Sequence, residues 1–172
     1  MITLEHIERW LIIEGQHHMA IRRRDGVHLG HRQATLRDTR HHGHVCIKRH
    51  ATQTALEHAC GFALAGYLSI APATFDRVEK QVDLGYGEAD RNKGFALKNQ
   101  VEALAAPGAL ADVQAAIDWA ALNSQGRVGV VGYCWGGLLT WRSACLLDGV
   151  AAAAPYYGGG VTSDAERGRV PR

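Results

Sequence analysis

The sequence has few of the features that mark membrane-spanning, secreted or disulfide-rich proteins. Its 172 residues contain no apolar run near the length of about 20 residues that a bilayer-spanning helix needs. The four cysteines (Cys46, Cys60, Cys134 and Cys145) share no Cys-x-x-Cys spacing and form no dense framework. The N-terminus has neither a basic segment nor a small-residue cleavage site. We therefore expect a cytoplasmic protein with reduced thiols and no membrane association.

The charge balance gives little support to a nucleic-acid partner. The net charge is only +2, and the 47% hydrophobic and 21% charged contents are ordinary for one globular domain with a sizeable core. The candidate basic surface comprises the arginines at 22–24 and the basic residues at 32–49. It has no interleaved aromatic residues and matches no nucleic-acid-binding motif. We expect a small-molecule partner and no nucleic acid, and composition does not indicate an oligomeric state.

Histidine is absent after His58, although the chain contains ten histidines. Residues 1–58 also contain only four of the 20 glycines, and their one compact apolar run is at 10–13. We therefore divide the chain into an atypical His- and Arg-rich segment, residues 1–58, which is either disordered or of a structure that the sequence does not indicate, and a partial α/β domain, residues 59–172. A shifted reading frame or a rearrangement over residues 5–57 is one hypothesis for this division.

The segment HHGHVCIKRH, residues 41–50, is the candidate metal site. Its possible zinc ligands are His41, His42, His44, Cys46 and His50. Their spacing matches no standard zinc pattern, and a compositional bias explains the cluster equally well. We expect no metal and no cofactor.

Hydrophobic periodicity after residue 58 predicts alternating helices and strands. The predicted elements are a helix ending near 65, a strand over 67–72, a loop with a short helix over 77–94, an amphipathic helix over 109–123, a strand over 127–133, a helix over 136–149 and a strand from 150 to Pro155. This alternation is typical of a parallel sheet flanked by helices. Ligands bind at the carboxyl ends of the strands in such sheets.

Residues 132–136, Gly-Tyr-Cys-Trp-Gly, join a predicted strand to a predicted helix. A Gly-x-nucleophile-x-Gly turn of this kind is a nucleophile elbow, in which Gly132 and Gly136 leave room for a strained backbone. The helix N-terminus would favour the thiolate of Cys134, and the backbone N–H of Trp135 would face a developing oxyanion. Two alternatives are a nucleotide-binding glycine loop and a buried structural cysteine. The segment does not contain the G-x-G-x-x-G pattern that the first alternative requires.

Four separated pieces, in this order, resemble the dienelactone hydrolase family (carboxymethylenebutenolidases) of the α/β-hydrolase fold. They are GFALAGYLSIAPATFDR, LADVQAAIDWA, GRVGVVGYCWGG and AAAAPYYGGGV, between residues 60 and 163. The resemblance implies a cofactor-free hydrolase that cleaves an enol-lactone or carboxylic ester, with Cys134 as the nucleophile that forms an acyl-enzyme.

The same resemblance implies residues for substrate binding. Arg77 stands where family members bind a substrate carboxylate, and the alternative is an ordinary surface arginine. Tyr86 is a weaker candidate for the substrate pocket. Tyr156 and Tyr157 follow the last predicted strand and are expected to line or support the site.

The sequence departs from the family pattern where a base is expected. The family triad needs an aspartate and a histidine after the elbow, yet no histidine follows His58, and Asp164 lies in a polar tail that does not match. The family's glutamate in a Q-E-I-F-G-like segment is not found either. We therefore predict a partial α/β-hydrolase fold that lacks the C-terminal strands and the first strands. The alternative function is a catalytically inactive truncated remnant that lacks the triad Asp and His.

Overall fold

The computed structural model describes residues 9–14, 46–48, 53–65, 67–85, 87–123 and 127–172. The strands are β1 (Arg9–Glu14), β2 (Cys46–Lys48), β3 (Leu68–Ala71), β4 (Val128–Tyr133) and β5 (Val150–Tyr156). The helices are α1 (Gln53–Leu64), α2 (Glu88–Glu102), α3 (Leu110–Leu122) and α4 (Trp135–Leu146), and a 3₁₀ turn covers Asp164–Glu166. Across these ranges, no helix combines the length and the apolar character needed to cross a bilayer.

The strands form one parallel sheet in the order β2-β3-β1-β4-β5. Strand β1 lies in the middle, where Leu11 is opposite Ile70 of β3 and Val130 of β4. Parallel neighbours need crossover connections, which is why helices alternate with strands along the chain. The predicted parallel α/β architecture is confirmed.

Helices cover both faces of the sheet. Val130 belongs to a core cluster with Ile117 of α3 and Leu139 of α4, whereas the adjacent Val131 packs with Ala59 of α1. Successive side chains of a strand point to opposite faces, so β4 is buried on both. This burial explains its continuous apolar sequence and places its carboxyl end at the edge where ligands bind in such sheets.

Several predicted elements agree with the structure, but α2 does not. The polar segment at 77–94 is predicted as loop and short helix, whereas α2 is a 15-residue helix from Glu88 to Glu102. Only Gly94, Leu97 and Val101 of α2 are buried, so its apolar stripe is too narrow to show in the sequence. Glu88 and Asp90 lie in its first turn, where the helix dipole favours negative charge.

The segment before residue 58 contributes two strands to the sheet. The apolar run at 10–13 lies within β1, whereas β2 has no counterpart in the sequence prediction. Helix α1 begins at Gln53 and so crosses the position near residue 58 where the sequence was divided. The arginines at 22–24 and Gly66, predicted to end a helix, lie outside the described residues.

Candidate functional site

Cys134 lies between the last residue of β4 and the first residue of α4. Its backbone has φ 53° and ψ −117°, a left-handed conformation that costs a side-chain-bearing residue about 1–3 kcal/mol. Two hydrogen bonds hold it: the N–H of Cys134 donates to the carbonyl of Tyr156 at 3.0 Å, and the N–H of Leu138 donates to the carbonyl of Cys134 at 3.2 Å. The predicted strand–turn–helix geometry is therefore present.

The closest packing around the turn involves Gly137. A Cβ on Gly137 would lie 2.5 Å from the carbonyl oxygen of Tyr156 and 2.9 Å from the Cα of Gly158. A Cβ on Gly158 would in turn lie 2.9 Å from backbone atoms of Gly137 and Leu138. The first turn of α4 thus packs directly against the backbone that follows β5. The sequence prediction assigned the need for space to Gly132 and Gly136 and did not consider this contact.

The thiol of Cys134 is partly buried, and burial raises its pKa above the ordinary value. A hydrogen bond from the backbone N–H of Trp135 and the positive charge of Lys98 both lower the pKa, but by less than burial raises it. The backbone N–H at the start of α4 thus acts in the expected direction, toward thiolate, and the burial of the thiol outweighs it.

The side chain of Trp135 is fixed from two sides. It is 3% exposed, its ring stacks on Phe75 with the centroids 5.6 Å apart, and its Nε1–H donates to Oε1 of Glu102 at 2.7 Å. Since Trp135 begins α4, these contacts hold the residue whose backbone N–H is the predicted oxyanion donor. Glu102, at the end of α2, was not identified from the sequence.

A series of ion pairs extends from Glu102, the last residue of α2, to Arg169. Nη1 of Arg142 donates to both carboxylate oxygens of Glu102 at 3.0 and 2.9 Å, and its Nε donates to Oε1 of Glu166 at 2.8 Å. Nε of Arg169 lies 2.8 Å from Oε2 of Glu166. The Glu166 side chain is only 1% exposed, although the sequence after Val161 reads as a polar tail. The sequence feature that could have indicated a buried partner is Arg142, the one charged residue in the otherwise largely apolar helix α4.

Arg77 lies in the loop after β3 and pairs with Asp112 in the first turn of α3. Its Nε and Nη2 donate to the two carboxylate oxygens of Asp112 at 2.6 and 3.0 Å, and this bidentate contact raises the pKa of Arg77. Strand β3 ends, and helix α3 begins, at the edge of the sheet that carries Cys134. Arg77 is therefore on the expected edge, with much of its charge offset by Asp112.

An aromatic stack surrounds Tyr133, which directly precedes Cys134. The Tyr133 ring lies 5.0 Å from the Tyr156 ring and 6.3 Å from the Tyr157 ring, measured between centroids. The Tyr133 ring also stacks on the imidazole ring of His58, with the centroids 4.8 Å apart. Of the ten histidines, His58 alone falls within the described residues. The structure thus brings a histidine of α1 next to the elbow, which sequence spacing did not predict.

Two predicted sites fall outside the described residues. Tyr86, the candidate for the substrate pocket, is one, and the histidines of the segment at 41–50 are the other. Among the side chains that the structure describes, no three His, Cys, Asp or Glu residues cluster closely enough to hold a metal ion.

The comparisons with known proteins agree with one another. The model of the dienelactone hydrolase family matches residues 50–169. A protein of Synechocystis sp. (strain ATCC 27184 / PCC 6803 / Kazusa) named "Putative carboxymethylenebutenolidase" is 32% identical to this chain over 102 residues. Proteins of the same name from Salmonella typhimurium and Escherichia coli K12 are also 32% identical over 102 residues.

These matches cover parts of both partners. The aligned region is 58% of this chain and 40% of the Synechocystis protein, and it is 56% of this chain and 34% of the Salmonella and Escherichia proteins. The chain thus spans well under half of the length of the curated relatives that it matches.

Proposed function

The chain belongs to the dienelactone hydrolase family, and we propose that it cleaves an enol-lactone or a carboxylic ester through an acyl-enzyme on Cys134. The observation that carries this proposal is the backbone of Cys134, held at φ 53° between a buried strand and a helix. That conformation presents a side chain at the carboxyl edge of the sheet, as covalent catalysis requires.

Each step follows from groups at the elbow. The thiolate of Cys134 attacks the carbonyl carbon, a C–S bond forms, and the carbonyl oxygen becomes an oxyanion that the N–H of Trp135 stabilises. Collapse of this intermediate breaks the bond to the enol or alcohol oxygen, which takes up a proton from solvent in place of the one that the Cys134 thiol released to solvent on becoming a thiolate. Water then attacks the thioester, releases the carboxylic acid and restores the thiol.

Arg77 and Tyr86 are proposed to bind the substrate. For Arg77 the support is its place at the carboxyl edge, where Nη1 takes no part in the contact with Asp112. For Tyr86 the support is its sequence context in the family resemblance alone. The proposal includes a small-molecule substrate, no cofactor, no nucleic-acid or membrane partner, a cytoplasmic location consistent with the scattered cysteines, and a catalytic domain over residues 59–172.

The alternative is that this chain has lost turnover. The observation in its favour is that no histidine follows Cys134 and that no aspartate after the elbow matches the family triad. The raised pKa of the Cys134 thiol leaves little thiolate at neutral pH, and the family's triad histidine, which would activate water for deacylation, has no counterpart after the elbow.

Ester turnover with cysteine variants decides between the two. A p-nitrophenyl ester and an enol-lactone would be assayed with the wild type, Cys134→Ala and Cys60→Ala, the last being a matched control in α1. The proposed function predicts turnover that Cys134→Ala abolishes and Cys60→Ala retains, with an acyl adduct on residues 128–142 by mass spectrometry. Turnover that survives Cys134→Ala, or none in the wild type, contradicts it.

A further inference from the structure

The carboxylate of Glu102 contacts one flank of α4 at two points. Trp135 and Arg142 are seven residues apart, so they lie two turns from each other on the same side of this helix. Oε1 of Glu102 accepts a hydrogen bond from Nε1–H of Trp135 at 2.7 Å and another from Nη1 of Arg142 at 3.0 Å. A shift of α4 along or about its axis would stretch at least one of these bonds, so the carboxylate fixes the position of the helix.

The carboxylate that makes these contacts is itself held in place. Glu102 directly follows Val101, which is 2% exposed and belongs to the same core cluster as Trp135. On the other side, the guanidinium of Arg142 is bound by Glu166, whose side chain is 1% exposed. The end of α2 therefore presents a fixed hydrogen-bond acceptor to the first residue of α4.

We propose that Glu102 is a positioning residue of the elbow: by holding the indole of Trp135 it fixes the direction of the Trp135 backbone N–H, and so accelerates those reactions of Cys134 that develop an oxyanion. The inference rests on the proposed function for the roles of Cys134 and Trp135. The direction of the donor matters because it must lie about 2.7–3.1 Å from the position that the oxyanion takes. Loss of Glu102 leaves this donor present but less well directed.

Two reactions of the same thiolate test this. Acylation by p-nitrophenyl acetate passes through an oxyanion, whereas alkylation by iodoacetamide displaces iodide and develops none. Because both reactions use the thiolate, the fraction of Cys134 that is deprotonated cancels in the ratio of the two rate constants. A change that only alters the pKa of the thiol therefore leaves this ratio unchanged.

Each rate constant has its own readout. Release of p-nitrophenolate, less the release by Cys134→Ala, measures acylation whether or not water later removes the acyl group. Alkylation is followed by mass spectrometry on residues 128–142, which cleavage after Arg127 and Arg142 releases and in which Cys134 is the one cysteine. Urea-denatured protein gives the reference ratio for a thiol without an elbow around it.

The folded wild type should exceed the reference ratio, and Glu102→Ala should lower the ratio by about threefold to thirtyfold, a part of the roughly hundredfold to thousandfold loss when an oxyanion donor is removed. Trp135→Phe keeps the ring without the indole N–H and should give a similar fall, to which Glu102→Ala adds little in the double variant. Glu102→Gln retains an acceptor oxygen and should retain most of the ratio. Glu79→Ala is the control: it removes the same charge from an exposed pair with Lys93 and should leave the ratio unchanged.

Three results would overturn the proposal: a wild-type ratio no higher than the reference, an unchanged ratio in Glu102→Ala, or an equal fall in Glu79→Ala. If Glu102→Ala does not fold, the comparison passes to the two milder variants, and a ratio for Trp135→Phe no lower than that for Glu102→Gln would overturn it. The proposed function fails separately. Acylation that depends on Glu102, together with no turnover by the wild type, would retain Glu102 as the positioning residue of an elbow that does not hydrolyse esters.

Discussion

The indole nitrogen of Trp135 and the carboxylate of Glu102 are 2.7 Å apart, which joins the end of α2 to the first residue of α4. The same carboxylate accepts two hydrogen bonds from Arg142. One anion therefore satisfies a buried donor and a partly buried guanidinium, and its removal leaves both without that partner.

Glu102→Ala should lower the free energy of unfolding by about 1–3 kcal/mol, because it leaves the indole N–H and the guanidinium of Arg142 poorly paired. Glu79→Ala is the control, since its pair with Lys93 is almost half exposed on both sides and should contribute under about 1 kcal/mol. Urea unfolding followed by tryptophan fluorescence measures both. Equal effects of the two substitutions would contradict the role given to Glu102.

Glu166→Gln should be more damaging, with a loss of about 3 kcal/mol, because it replaces a buried carboxylate that pairs with both Arg142 and Arg169 by a neutral group. The matched substitution is Asp164→Asn in the same 3₁₀ turn, where the carboxylate pairs with Arg167 in full contact with solvent. Thermal and urea unfolding of the two variants should differ clearly. A small effect of Glu166→Gln would show that the buried pair contributes little.

Two glycine-to-alanine substitutions should change the free energy of unfolding in opposite directions. Gly137→Ala places a Cβ 2.5 Å from the carbonyl oxygen of Tyr156, so the start of α4 must move, at a cost of about 3 kcal/mol or more. Gly61 lies in α1, and a Cβ added there would have no heavy atom within 4 Å other than the neighbouring backbone of its own helix. Gly61→Ala should therefore stabilise the protein by about 0.5–1 kcal/mol through helix propensity. Chemical denaturation of both variants checks the signs, and a tolerated Gly137→Ala would refute the packing described.

Alkylation of Cys134 by iodoacetamide should rise with pH through a midpoint above that of an ordinary thiol. Burial raises the pKa, so the protonated form persists in the folded protein to higher pH, and only the thiolate reacts. The raised pKa also makes the stability of the protein depend on pH. The stability that the protonated Cys134 thiol contributes is present below the pKa of the unfolded state and is lost as pH rises through the pKa of the folded state. The same peptide in denatured protein supplies the reference midpoint, and a lower midpoint in the folded protein would contradict this.

The sequence predicts elements whose pattern is local. Helix α3 shows its buried face as Val113, Ile117 and Ala120 at spacings of three and four, and the turn at Cys134 is recognisable from its glycines. Pairings across the chain have no such signal. Nothing near Arg77 in sequence indicates Asp112, 35 residues away, and nothing in the polar segment after Val161 marks Glu166 as buried. Such contacts depend on which helices meet over the sheet, which periodicity does not specify.

The contact between Glu166 and Arg142 also bears on how the molecule is made. A chain leaves the ribosome from its N-terminus, so β4, the Cys134 turn and α4 are synthesised before Glu166 and Arg169. During that interval the guanidinium of Arg142 has Glu102 but not its second carboxylate, and the helix behind the nucleophile is incompletely anchored. The support of the elbow is therefore completed after the elbow itself has been synthesised, when residues 164–169 arrive.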